Sequence, residues 1–499
     1  MNSARRAQRS SSFSGGAALV FITVVGLGCS LTLDEPVPCR TDAECRESFT
    51  FGASCGADGL CMEPLFPDRC GRSFPSDALS DPEAYRESIL IGSLFSFEDH
   101  SDTLQAAELA VRQANAQGGL EGREFVMIHC DYTPGAGDSL DDIEAVEELT
   151  PYLSDVLGAQ AIVGPRGSSR TLAAYASMGE MPTVIISPSA TSPLLTSAEA
   201  VTPSDETPGL LWRTAPPDTL QGAVIAQDML ERGVQTVAVL YQAGAYGEGL
   251  SSLFSSTLSA EGGSVSLLAF GSGEDFSLEV ALIAEGIEEG DFDEVLMISS
   301  EISDYITFFD SASATGSLRR AYGETLGSES DGIFLPDAAF SGQLLTETTT
   351  QAQALFGKVR GSRPAPADGV VFNTFSASYR SEFNEDSTGS AFTPHSYDAA
   401  WMVLYGLAWA SYNEDTVDGL GIARGLRQLS SGAPVDVLAS SWSTIQASFQ
   451  AGRSVDLRGA SGALDYDPQT EETRSPIEVW SIESEDDAYS FMRERVVEL

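Results

Sequence analysis

Positive charge is scarce in this chain of 499 residues: 27 basic side chains face 73 acidic ones, a formal charge of −46, and Lys358 is the one lysine. Such a balance argues against nucleic acid and anionic membrane surfaces as partners, because like charges repel. Histidine is scarcer still. His100, His129 and His395 stand outside any metal-ligand spacing and away from any G-x-S-x-G elbow, which leaves metal sites and hydrolytic triads without their usual signature. No metal or cofactor is expected, and no catalytic residue is nominated. Past the amino terminus no apolar run is long enough to cross a bilayer.

What is present begins with export. Arg5, Arg6 and Arg9 precede a short apolar segment at 17–27 that ends in Gly28-Cys29-Ser30. Residues 1–28 therefore read as a signal peptide. Cys29 after a small residue resembles the lipobox of bacterial lipoproteins and is expected to carry the lipid; Gly26 stands where leucine is usual, so a plain signal peptide cut nearby is the alternative. Six further cysteines remain, Cys39, Cys45, Cys55, Cys61, Cys70 and Cys130. An even number in an oxidising compartment implies three disulfides. Two are expected within 39–61 and one from Cys70 to Cys130, stapling a loop-rich spacer at 29–81 to the main body. A zinc site is the rival reading, with neither histidine nor a CxxC pair in the cluster to support it.

From residue 87 onward strands and helices alternate. Strands are expected at 88–95, 124–129, 161–163 and 183–187, with helices at 103–117, closed by Gly118-Gly119, and 138–149. The rhythm restarts after Arg213, with helices at 219–232, 247–260, 276–288 and 304–314 and strands at 236–241, 265–270 and 294–299. This order predicts an α/β fold of two doubly wound parallel sheets. The apolar stretch 396–411 reads as a buried helix whose aromatic stripe belongs to the core, and 462–482 as two short strands about an acidic turn.

The stretch AIVGPRGSSRTLAAYASMGEMPTVIISPSATSPLLT, residues 161–196, organises the rest. Both of its strands end in small hydroxyl residues at the carboxyl edge of a parallel sheet, where open α/β domains bind ligands. Ser168 is placed to cap a helix, and helix amino termini favour anions. Read alone, Ser168 serves equally as a mere cap, and Ser189 and Thr191 as mere turn residues.

These segments, with AAELAVRQANAQGGLEGREFVMIHCD, LWRTAPPDTLQGAVIAQDMLERGVQTVAVLYQAGAYGEGL, SYDAAWMVLYGLAWA and SGALDYDPQTEETRSPIEVWSI, resemble in order the type I periplasmic binding proteins, specifically the branched-chain amino acid (Leu/Ile/Val) group of solute-binding lipoproteins. The resemblance implies a Venus-flytrap with a three-segment hinge near 213–217, 370–378 and 461–464. Lobe one would comprise 85–214 plus 377–461, and lobe two 218–370 plus 464–499. Carried over residue by residue, it assigns the ligand carboxylate to the hydroxyl and amide of Ser168, further ligand contacts to Ser169, Ser189, Ala190 and Thr191, closure to Tyr246 and the ammonium partner to Asp337. Phe95 and Phe97 would line the side-chain pocket. Arg166 departs from the small or apolar residue expected in that turn, and would either pair locally or meet a further anionic group.

The implied function is a membrane-anchored extracytoplasmic protein, in the periplasm or at the cell surface, that hands an amino-acid-like ligand to an ABC permease. The same fold also serves as a sensor signalling to a membrane partner. A secreted hydrolase is a third reading, which the paucity of histidine disfavours.

Overall fold

The computed structural model describes residues 36–498, apart from 136–138, 200–201, 272, 274, 326–331 and 486–487; the signal segment and Cys29 lie outside the described residues. The spacer is stapled by Cys39–Cys55 and Cys45–Cys61, and Cys70–Cys130 bolts it to the body. With their sulfurs spent on disulfides, these cysteines are not available as metal thiolates. The guanidinium of Arg46 adds hydrogen bonds to the carbonyls of Asp155 and Val156, and Arg69 donates to those of Asp131 and Thr133.

Two sheets form the body. The first runs Arg72–Phe74, Phe125–Asp131, Ile89–Phe95, Ala161–Val163, Val184–Ser187, Leu211–Arg213, parallel throughout except for the Arg72–Phe74 edge. Its inner strands are buried on both faces, which is why they read as continuous apolar runs and not as alternating ones. The second runs Ser264–Phe270, Thr236–Gln242, Glu294–Ile298, Ile333–Leu335, Val359–Pro364, Ile477–Glu485, Ala488–Val497. Its first five strands are parallel and its last two pair antiparallel. The expected strand pair at 462–482 is therefore displaced: the hairpin is Ile477–Glu485 with Ala488–Val497, because Ile477, Val479 and Ile482 supply the apolar face while 462–476 is rich in acids and turn formers.

Each sheet has its own core. The helix Thr393–Asn413 is buried on nearly every side, and Trp401 stacks on Tyr405 with ring centroids 5.3 Å apart, so its aromatic stripe is core. The chain leaves the first sheet at Arg213 and enters the second lobe at Asp218, where the backbone N–H of Asp218 donates to the Thr191 carbonyl at 2.8 Å. It returns earlier than the expected 377. Val371, Phe375 and Tyr379 on one face of the helix Val370–Phe383 already lie in the first core. It leaves again later than 464, since Leu464 and Tyr466 still pack there and Ile477 is the first strand residue of the second sheet.

A strap adds to these crossings. Between the helices Val370–Phe383 and Thr393–Asn413 the chain reaches over to the second lobe. The Gly342 amide donates to the Gly389 carbonyl at 2.7 Å, and the Ala391 amide to that of Phe340 at 3.3 Å. Phe392 is buried in the second core.

Candidate ligand cleft

The turn after Ala161–Val163 positions one wall of the site. Gly164 has φ +94°, and a side chain there would meet the Leu94 carbonyl oxygen at 2.3 Å, so only glycine lets the backbone pass so close. Gly167, φ 81°, is the N-cap residue of the helix Ser168–Ala176. Ser168 thus opens the helix and does not cap it. Its buried Oγ accepts from the Ser192 amide at 3.1 Å. The Ser189 hydroxyl accepts from the Gly167 amide at 3.2 Å, and Ser169 Oγ accepts from the Ala245 amide of the second lobe at 3.0 Å.

The facing wall comes from the second sheet. Gly244 and Ala245 begin the helix Ala245–Ala260, and Tyr246, nearly buried, donates its hydroxyl to Asp337 Oδ1. Asp337 also accepts from the Ala338 amide at 2.9 Å. Burial pushes its carboxyl up to about 6, against the opposing pull of Tyr246, Ala338, Gln221 and the Arg166 charge. Behind it lies Asp218, fully buried, which burial and the Asp337 charge hold well above the usual carboxylate range. A neutral acid beside an ionisable one is the state such a pair favours.

Between the walls runs a groove. One cavity of about 410 Å³ is lined by Ser96, Tyr132, Ser168–Arg170 residues, Gln242, Tyr246 and Glu301. A second of about 390 Å³ is lined by Asp102, Arg166, Asp337, Phe340 and Phe392 among others. A constriction containing Arg166, Ser168, Ser189, Tyr246 and Asp337 links them, and His100 and Ser300 border all three. His100 is held neutral, its affinity for a proton lowered by burial and by Arg166 and Arg170.

Of the residues nominated from sequence, Ser168, Ser169, Ser189, Tyr246 and Asp337 border this groove. The others lie elsewhere. Ala190 is buried, its amide donating to Ser187 Oγ and its carbonyl accepting from Arg213. Thr191 is buried where the chain crosses to Asp218. Phe95 is wholly within the first core, and Phe97 packs against that core with the Arg72 guanidinium 4.9 Å over its ring. A strand whose every residue from Ile91 to Phe95 is buried leaves its terminal aromatic no path to the groove. Sequence reading missed His100, Tyr132, Arg170, Ser300 and Glu301. Arg170 follows Ser168-Ser169 directly and was the one legible candidate; the rest reach the groove only through the tertiary fold.

A hydrogen-bonded chain Ser93–His129–Glu108 superficially resembles a hydrolytic triad, with Ser93 Oγ 2.6 Å from His129 Nδ1 and Nε2 3.2 Å from Glu108. All three are buried between strand and helix, and none borders the groove, so the chain of bonds is a packing feature.

Residues 102–485 match the profile of the receptor family ligand binding region. The chain belongs to this family. Among type I periplasmic binding proteins, the leucine-, isoleucine-, valine-, threonine- and alanine-binding protein of Pseudomonas aeruginosa is 29% identical over 39% of this chain and 43% of its own length. The match thus spans less than half of that relative. The substrate-binding protein BasB of a chemotactic signal transduction system in Halobacterium salinarum is 24% identical over 73% of this chain and 78% of its own. In fold, a leucine-binding protein of Thermotoga maritima superposes with a TM-score of 0.61 at 17% identity, over 82% of this chain and 98% of its own. The chain shares with them the two-lobed architecture of the branched-chain amino acid group. Among the described residues, no helix is long and apolar enough to cross a membrane.

Proposed function

We propose that this binding protein captures a small carboxylate-bearing zwitterion, an amino acid or close analogue, between its lobes. One observation carries the reading. A basic, amide-rich turn at 166–169 on one lobe faces a buried carboxylate, Asp337, on the other, across a groove with room for a small metabolite. Both ligand charges would find a partner when the cleft excludes water. A ligand touching both walls favours the closed state in proportion to contacts made only there. Nothing in the reading requires a covalent step, so the chain binds and releases its ligand unchanged.

Delivery to an ABC-type importer is the role that fits the amino-acid-binding relatives, with tethering through Cys29 at the periplasmic or cell-surface membrane. A thermal-shift screen of the chain against amino acids, organic acids, amides and sugars tests the ligand class. A ligand at about a hundred times its Kd adds about 2.7 kcal/mol, and a response to sugars alone would end the proposal. The BasB likeness supports a second role, presentation of the same ligand to a membrane sensor. Ligand-stimulated ATP hydrolysis by a reconstituted permease would separate the two.

A further inference from the structure

Arg166, Arg170 and Arg213 stand at the groove or at the crossing that follows Arg213, and two of them are spent. Arg170 pairs with Asp142 and Glu301, each at 2.5 Å. Arg213 is held by Glu472 and by the carbonyls of Ala190 and Ser192. Arg166 differs. Its side chain is only 12% exposed, and among the described residues its one ion pair is Asp102 at 4.0 Å and its guanidinium makes no hydrogen bond. The ring of Phe392 lies 5.6 Å from it, a cation–π contact that spends none of its N–H donors. Arg166 borders both the larger cavity beside Asp337 and the constriction, and its charge is felt at Asp337 across the cleft.

We propose that Arg166 is the carboxylate anchor of the cleft, taking the part that the family resemblance gives to the Ser168 hydroxyl. The inference rests on the reading of the groove as a site for a small zwitterion and names the group that recognises its anionic end. Ser168 Oγ already accepts from the Ser192 amide and has a single O–H left to donate, whereas Arg166 offers the forked, bidentate geometry that suits a carboxylate. With Asp337 opposite, the pair reads both ends of an α-amino acid from different lobes, so that neither lobe alone holds the ligand. Phe392 brings the strap into the same contact, since the ring under Arg166 belongs to the second core.

The test is calorimetric titration of the full-length chain and its R166Q, R166K and S168A variants with L-leucine, L-glutamate, glutarate, benzoate and 3-methylbutylamine, which is leucine without its carboxylate. Melting curves establish that each variant is folded. Every carboxylate bound by the wild type should lose at least tenfold in R166Q and less in R166K, and S168A should cost less than R166Q. The wild type should bind 3-methylbutylamine at least tenfold more weakly than L-leucine. A folded R166Q that keeps wild-type affinity for a carboxylate, or an amine bound as tightly as L-leucine, would overturn the anchor and leave the cleft a ligand site. If none of the five probes bound the wild type, the zwitterion reading itself would fall, and the anchor with it.

Discussion

Arg170 spans the cleft: its Nε holds Asp142 within the first lobe, and its Nη2 meets Glu301 of the second lobe at 2.5 Å. Both contacts are largely shielded from water, and the Tyr132 ring lies 5.0 Å from the guanidinium. Burial works to lower the proton affinity of Arg170, but Glu301, Tyr132 and Asp142 outweigh it and raise it. The pair joins the two lobes directly, next to the Ser169–Ala245 hydrogen bond.

Removing the Glu301 charge should therefore loosen closure. Glu301→Gln leaves Arg170 with Asp142, so the loss is smaller than that of a wholly orphaned charge, about 1–3 kcal/mol off the closed state. Small-angle scattering of the unliganded variant should show a larger radius of gyration than wild type. An unchanged radius would remove the pair from the closure equilibrium.

Acid should weaken ligands that bear an ammonium. Asp337 ionises at about 6 in the folded chain, and an ammonium needs its charged form. Below that pH a proton competes with the ligand, so affinity for L-leucine should fall by up to about tenfold for each further unit. Asp337→Asn should abolish this dependence. Titrations at pH 5 and pH 7.5 that gave equal affinities for the wild type would contradict the role of Asp337.

Asp398 makes a separate, stability-linked prediction. It is fully buried, accepts from the amides of Ala460 and Ser461 and from the Ser461 hydroxyl, and burial pushes it up to about 6. A folded value above the unfolded one means that the native chain binds the extra proton. Its contribution is thus fullest in acid and is lost as pH rises from about 4 through 6, by about 2–3 kcal/mol. Comparing denaturant midpoints for wild type and Asp398→Asn across that window isolates the group, because the many surface acids are common to both.

Opening the bolt should be costly. Cys70–Cys130 closes a sequence separation of 60 residues, for which loop entropy gives about 4 kcal/mol. The double variant Cys70→Ser, Cys130→Ser should melt well below wild type, while loss of Cys39–Cys55, spanning 16 residues, should matter less to the body. Equal melting temperatures would show that packing alone secures the module.

Much of this architecture was legible because its signals are local. The strands at 161–163 and 236–242 announce themselves as short apolar runs, and the helix before Gly118-Gly119 ends where the Gly119 amide meets the Ala114 carbonyl. An even set of cysteines, grouped by spacing, anticipated the disulfides. The hinge limits were less legible: Val371, Phe375 and Tyr379 present a helical face that suits either lobe, and only tertiary packing assigns it to the first. The wall of the groove was found where hydroxyls follow a strand, as at Ser168 and Ser189. It was missed where a charged side chain, such as Glu301, arrives from a distant loop with nothing in its neighbours to mark it. Phe95 misled for the opposite reason. Its place at a strand's carboxyl end points to a ligand, and its complete burial inside the sheet's own core does not.

The spacer grips one half of the molecule. Arg46, Arg69 and the Cys70–Cys130 bond all fasten to segments of the first lobe. A tether on the amino-terminal side would consequently fix that half as the stator, and the swing of capture would fall to the other. Any partner reading the bound state would then have its moving target in the second lobe and its fixed reference in the first.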